Sequence, residues 1–178
     1  LHRASDNNFD YSDFHSDCDN INHTLVVART DNGFTVGGYN EGQWTASGNG
    51  EFISGLLQNF IFSIELDIKL DATIGTNIIA HPNYGPNFAD LQIGKATIDP
   101  SSPFHKVYSA CGSNGFPYLG VDLNYDCPCS NSNCVGNLIG PSPNNGYNIK
   151  GLIDYEVWQL NSSGIPTDQI GGIAIDLD

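Results

Sequence analysis

The residues able to do chemistry are five histidines, five cysteines and a surplus of carboxylates. His2, His15, His23, His81 and His105 stand apart, and none falls in an H-x-H, H-E-x-x-H or mixed Cys/His spacing that would hold a metal. There is no G-x-S-x-G elbow, phosphate-binding loop or G-x-G-x-x-G fingerprint. Glu65 with Asp67, and Asp176 with Asp178, have the i, i+2 spacing that puts two carboxylates on one face of a strand. Such pairs can serve glycoside hydrolysis or bind Ca²⁺. No EF-hand pattern surrounds them, and solvated strand edges are the expected role. On a helix, Asp6, Asp10, Asp13 and Asp17 would form one acidic stripe, with Asp19 just beyond. A stripe spread over several turns cannot enclose one ion, so a solvated face is expected here too. No catalytic residue, cofactor or metal site is assigned, and Ca²⁺ is the only ion worth weighing.

The cysteines say more about compartment than about catalysis. Cys127, Cys129 and Cys134 lie in a polar loop, with Cys111 upstream. Zinc would favour two-residue spacings and a nearby histidine, which this loop lacks. Disulfides among Cys111, Cys127, Cys129 and Cys134 are expected, with three possible connectivities. Cys18 is left as a free thiol on the apolar face of a helix. Two N-x-[S/T] triplets, at Asn22 and Asn161, are candidate N-glycosylation sites. A chain that starts at Leu1 and has no methionine reads as a processed or truncated product. Together these features predict an extracellular protein.

Twenty acidic against six basic residues give a formal charge of −14. Nucleic acid and anionic membranes would be repelled by such a surface. Cations, basic proteins or neutral glycans suit this charge; copies of itself are expected as partners on the separate ground of the C-terminal strand described below. No apolar run approaches the ~20 residues of a membrane-spanning helix. The 178 residues fit one domain, and 39% hydrophobic with 20 glycines and 9 prolines favours strands and turns.

The elements that must position these residues follow from periodicity. Asp10 to Cys18 reads as a short helix, with Asp10 as N-cap and Tyr11, Phe14 and Cys18 on one face. Thr24–Arg29 and Phe34–Tyr39 read as a hairpin around Asp31-Asn32-Gly33. Gly37 and Gly38 break the side-chain row, as at a bulge or a close backbone approach. Further strands are expected at 59–64, 74–79 and 90–93, with turn chemistry at 83–88. Residues 147–160 read as a long strand or a bent pair, with Ile153, Tyr155 and Val157 on one face. Residues 109–145 read as a long loop. The class is mainly β: a β-sandwich of two antiparallel sheets with a few short helices.

These segments, in order, resemble the TLDc domain family. Leu1-His-Arg-Ala-Ser5 with Asp6 and Phe9 is similar to its L-Y-R-A-S-x-x-D-G-F opening. Phe14-His15, Cys18-Asp19 and Thr24-Leu-Val-Val27 resemble its F-H…C-D…T-L motif, and Gly37-Gly-Tyr39 with Trp44 its G-G-Y…W. Phe60-Ile-Phe-Ser63, Tyr84-Gly-Pro-Asn-Phe88 with 90–93, and Tyr155-Glu-Val-Trp158 match later pieces. The resemblance covers residues 1–160 and leaves 161–178 as a C-terminal extension. It implies a sandwich fold, roles in oxidation resistance and, for intracellular members, contact with a rotary proton-pumping ATPase.

The functional expectation is a secreted, non-enzymatic structural or interaction module. Gly37, Gly38, Tyr39, Trp44, Pro86 and Phe88 are read as scaffold. Ile173, Ala174, Ile175, Asp176 and Leu177 read as a strand that completes a sheet, in cis or in a neighbouring copy, which would build a filament. The alternatives are a glycan- or Ca²⁺-dependent lectin-like domain and a TLDc-type oxidation-resistance protein that binds partners.

Overall fold

The computed structural model describes residues 1–47, 51–53, 57–73, 78–89, 91–94, 106–109, 137–139 and 148–160. The cysteine loop, Asn161, and both Asp176/Asp178 and the strand expected at 173–177 lie outside these residues, as does His105.

The chain opens with β1 (His2–Arg3) and a 3-10 turn, Ala4–Asn7, followed by helix α1 (Tyr11–Cys18). Asp10 caps α1 by accepting a hydrogen bond from Ser12 N at 2.8 Å, and Phe14 and Cys18 are its buried face. Between turn and helix, Asn8 and Phe9 both take positive φ, 51° and 59°. This corner separates Asp6 from α1, so the four-aspartate stripe expected on one helix does not form.

β2 (Thr24–Thr30) and β3 (Thr35–Asn40) make the expected hairpin, with Gly33 at φ 89° in its turn. β4 (Glu51–Ile53) pairs with β7 (Ile78–Ala80) as a separate two-stranded ribbon. β5 (Phe60–Ser63) and β6 (Ile68–Asp71) are joined by a turn at residues 64–67 with Asp67 at φ 52°. Glu65 and Asp67 therefore occupy a turn and not one strand face, which corrects the sequence expectation. Alternation of acidic and apolar residues continued through a reversal of the chain.

β8 (Leu91–Gly94), β9 (Lys106–Ser109) and β10 (Asn148–Gln159) complete an eight-stranded antiparallel sheet of order β6-β5-β3-β2-β10-β9-β8, with β1 added against β10. β10 is its hub. One edge pairs with β2 along Leu152–Gln159; the other pairs with β9 at Asn148–Gly151 and with β1 at Glu156–Val157. A register shift falls between Leu152 and Asp154. Leu152 takes the core position and Ile153 is 53% exposed, so the expected face of Ile153, Tyr155 and Val157 starts one residue differently.

The mainly β class is what the structure shows, with α1 the one α-helix among the described residues. Alternate residues feed a main core on one face: Val26, Ala28, Val36, Ile61, Tyr155 and Val157 pack with Phe14, Trp44 and Phe88. The other face carries a smaller cluster of Leu25, Val27, Tyr39 and Phe60. Burial of both faces explains why β2 reads as a near-continuous apolar run. No helix among the described residues is long and apolar enough to cross a membrane.

Candidate functional site

Some of the polar residues singled out from sequence, His2, His15, Asp17 and Asp19, lie on or against α1, and a further polar group forms where β1 meets β10. Asp154 is the centre of one group. Its carboxylate accepts from Arg3 Nε (2.9 Å), Ser5 N (3.0 Å), Ser5 Oγ (2.8 Å) and its neighbour Tyr155 N (2.9 Å). Glu156 lies 3.5 Å from Arg3 Nε. Partial burial pushes the Asp154 carboxyl up, but the bonds from Arg3 and Ser5 outweigh it and hold the group below its ordinary value. The arrangement ties the chain's first residues to β10. Every Asp154 contact is internal, which suits anchoring.

Two histidine–aspartate pairs lie beside it. His2 is buried, with Nδ1 2.9 Å from Asp17 Oδ2 and its ring packed on Phe14 and Tyr155. His15 has both ring nitrogens against oxygens: Asp19 Oδ1 at 2.8 Å and the His81 carbonyl at 3.0 Å. Asp19 Oδ2 also accepts from Ala46 N at 2.7 Å. His15 and Asp19 thus bind the end of α1 to two segments far away in sequence. His81 Nδ1 accepts from Asn83 N, and its ring stacks on Tyr84. His23 Nδ1 meets the Tyr39 hydroxyl at 2.8 Å on the opposite face of the sheet. Among the described residues, no group of three or more His, Cys, Asp or Glu could hold a metal ion.

Cys18 is a free, fully buried thiol. Burial, with the nearby Asp17 charge, pushes it up to about 12, and burial also raises the Tyr155 phenol far above its usual range. A thiol held protonated is neither a nucleophile nor a good peroxide target.

The six residues read as scaffold are all buried. Trp44 is 3% exposed, donates Nε1–H to Thr24 Oγ1 at 2.8 Å, and meets Phe14 and Phe88 edge-to-face. A Cβ on Gly37 would collide with the Val26 carbonyl, and one on Gly38 would sit 2.8 Å from the Phe88 ring. Pro86 O accepts from Ile93 N and Phe88 N donates to Leu91 O, closing the turn before β8. Tyr39 stacks on Phe60. Of the sequon residues, Asn22 is exposed, whereas Thr24 is buried as the Trp44 acceptor. Glu65 reaches back to accept from Thr35 N at 2.6 Å. Sequence reasoning missed Asp154 and read Asp17 only as part of a solvated acidic stripe. Their partners lie 151 and 15 residues away, and no local pattern marks either pair.

The geometry defines a β-sheet domain whose polar clusters fasten its own segments together. The TLDc domain model matches residues 1–116, and the chain belongs to the TLDc domain family. The match ends before β10, so Tyr155–Trp158 lies beyond it. No curated protein matches the chain.

Proposed function

We propose that this chain is a non-enzymatic interaction module of the TLDc family that works outside the cell. The observation that supports it is the use to which the motif residues are put. His2, Arg3, Phe14, His15, Asp19, Gly38, Trp44 and Phe88 each make a contact inside the fold, and the family's most recognisable residues are its fastenings. The buried thiol of Cys18 argues in the same direction, since direct redox chemistry needs an accessible thiolate. Chemistry of binding is left to the acidic surface, which suits basic proteins or cations.

The extracellular part rests on Cys111, Cys127, Cys129 and Cys134, and on the sequons at Asn22 and Asn161. Intact mass of the naturally produced protein, alkylated in denaturant before and after reduction and then treated with N-glycosidase, tests it. The expected result is one free thiol without reduction and a loss of glycan mass. Five reactive thiols and no glycan would sink it. Self-assembly through Ile173–Leu177 is tested by truncation after Leu160. A folded monomer from a polymerising parent supports strand exchange, and an unfolded chain from a monomeric parent refutes it.

Two other readings each have one supporting feature. Family membership favours an oxidation-resistance, partner-binding role, which the mass experiment would leave standing if disulfides and glycans are missing. Trp158, 52% exposed on β10, is an aromatic surface of the kind that stacks on sugars, and a glycan array with Trp158→Ala as control tests the lectin-like reading.

A further inference from the structure

We infer that residues 1–7 form a strap that opens as a unit about Asn8–Phe9, with Asp154 as its lock. The inference stands on the described residues alone and is independent of compartment and of the C-terminal segment.

The strap's regular pairing is short: His2 opposite Val157 and Arg3 opposite Glu156. Three hydrogen bonds then converge on one carboxylate, from Arg3 Nε, Ser5 N and Ser5 Oγ to Asp154. These three bonds share one acceptor, so losing it releases them together; the strap's other attachment is His2, which meets Asp17 and packs on Phe14 and Tyr155. Two features oppose closure. His2 Nε2 is buried with no hydrogen-bond partner, a loss that water would repair on opening. Asn8 and Phe9, adjacent and both left-handed, are conformations that non-glycine residues adopt at a cost. A corner of that kind is where backbone torsion would relax if the strap swung away. His2 and Ala4 are buried, so opening has a cost, but a segment this short can open at a free energy below that of global unfolding.

Opening would bare the edge of β10 that β1 covers, and free backbone groups there are competent to pair with another strand. The charges facing Asp154 decide how the lock responds. Arg3 from β1 attracts it, Glu156 on its own strand and Asp6 on the 3-10 turn compete for Arg3, and Arg29 stands opposite in the β2 register. The Asp154 carboxyl is held below its ordinary value, so the lock stays charged at neutral and mildly acidic pH.

Native-state hydrogen exchange of the full chain at neutral pH tests the strap. Asp154→Asn should speed exchange at Ser5 N and in the β1–β10 pairing by about tenfold or more, while the β2–β3 hairpin is unchanged. Asp71→Asn makes the same charge change at the far edge of the sheet and should leave the strap as in the parent. Asn8→Gly removes part of the left-handed cost and should slow strap exchange by about threefold. Equal acceleration across β2–β3 and the strap in Asp154→Asn, or no acceleration at all, would overturn the inference. So would an Asn8→Gly variant that opens faster than the parent.

Discussion

Replacing Trp44 with alanine is the most informative single perturbation, because its ring joins three parts of the core. It touches Phe14 of α1 at 5.6 Å between centroids and Phe88 of the turn before β8 at 5.3 Å, and its Nε1–H is given to Thr24 at the start of β2. The large-to-small step at a site 3% exposed costs about 3–5 kcal/mol. Thr24 is itself fully buried, so its hydroxyl loses its indole partner, adding about 1–3 kcal/mol unless the hydroxyl turns to another acceptor. Against a domain stability of ~5–15 kcal/mol, Trp44→Ala removes about a quarter or more. The two contributions separate in a double-mutant cycle. Trp44→Phe keeps most of the ring but orphans Thr24, and Thr24→Val orphans the indole. The double variant removes both partners and should cost less than the sum of the singles by about 1 kcal/mol. Guanidinium denaturation followed by far-ultraviolet circular dichroism measures each. A Trp44→Ala loss below about 1 kcal/mol would refute the scaffold assignment, and strict additivity would refute the buried hydrogen bond.

Further outcomes are expected. Gly38→Ala should destabilise more than the same substitution at the half-buried Gly42, because its Cβ meets the Phe88 ring and the Phe60 carbonyl within 3 Å; a thermal melt matching the parent would contradict this. The folded carboxyl of Asp154 titrates below its ordinary value, so its contribution is complete above that ordinary value and is lost as pH falls through the lower folded one. The stability difference between parent and Asp154→Asn should therefore shrink on acidification through that window, and a difference independent of pH would show that the carboxylate charge plays no part. Cys18 should resist iodoacetamide in native protein and react on unfolding; peptide mapping that finds Cys18 alkylated natively would show its thiol to be accessible.

Much of the fold was legible where local chemistry and tertiary structure agree. α1 is announced by the Asp10 cap and the spacing of Phe14 and Cys18, and the β2–β3 hairpin by Asn32-Gly33. β10 was visible as a strand, but its inward face was misjudged because the extra residue at the bulge resets the period of two. β6 was not separated from the strand before it: Ile68-Lys69-Leu70-Asp71 alternates apolar and polar, but so do residues 64–67, and nothing local marks the reversal between them. The turn at 64–67 was mistaken for strand because a repeat of acidic and apolar residues looks the same on a ribbon as around a bend. The polar clusters were the least legible part. His2–Asp17 and Arg3–Asp154 are brought together by the docking of β1 on β10, which no window of sequence contains.

The placement of β10 has a consequence for how the chain is made. β2 is synthesised early, and its β10 partner lies most of the chain away in sequence. During synthesis at about 5–20 residues per second, the β2–β3–β5–β6 meander has a growing period in which it can form from near neighbours alone. Through that interval the outer edge of β2 has no native partner, while its apolar residues Leu25 and Val27 are already present. Closure of the sheet, and the docking of residues 1–5 that depends on Asp154, wait for nearly the last described residues to emerge. A cell that makes this protein must keep a nascent sheet edge from pairing wrongly for as long as the rest of the chain takes to arrive.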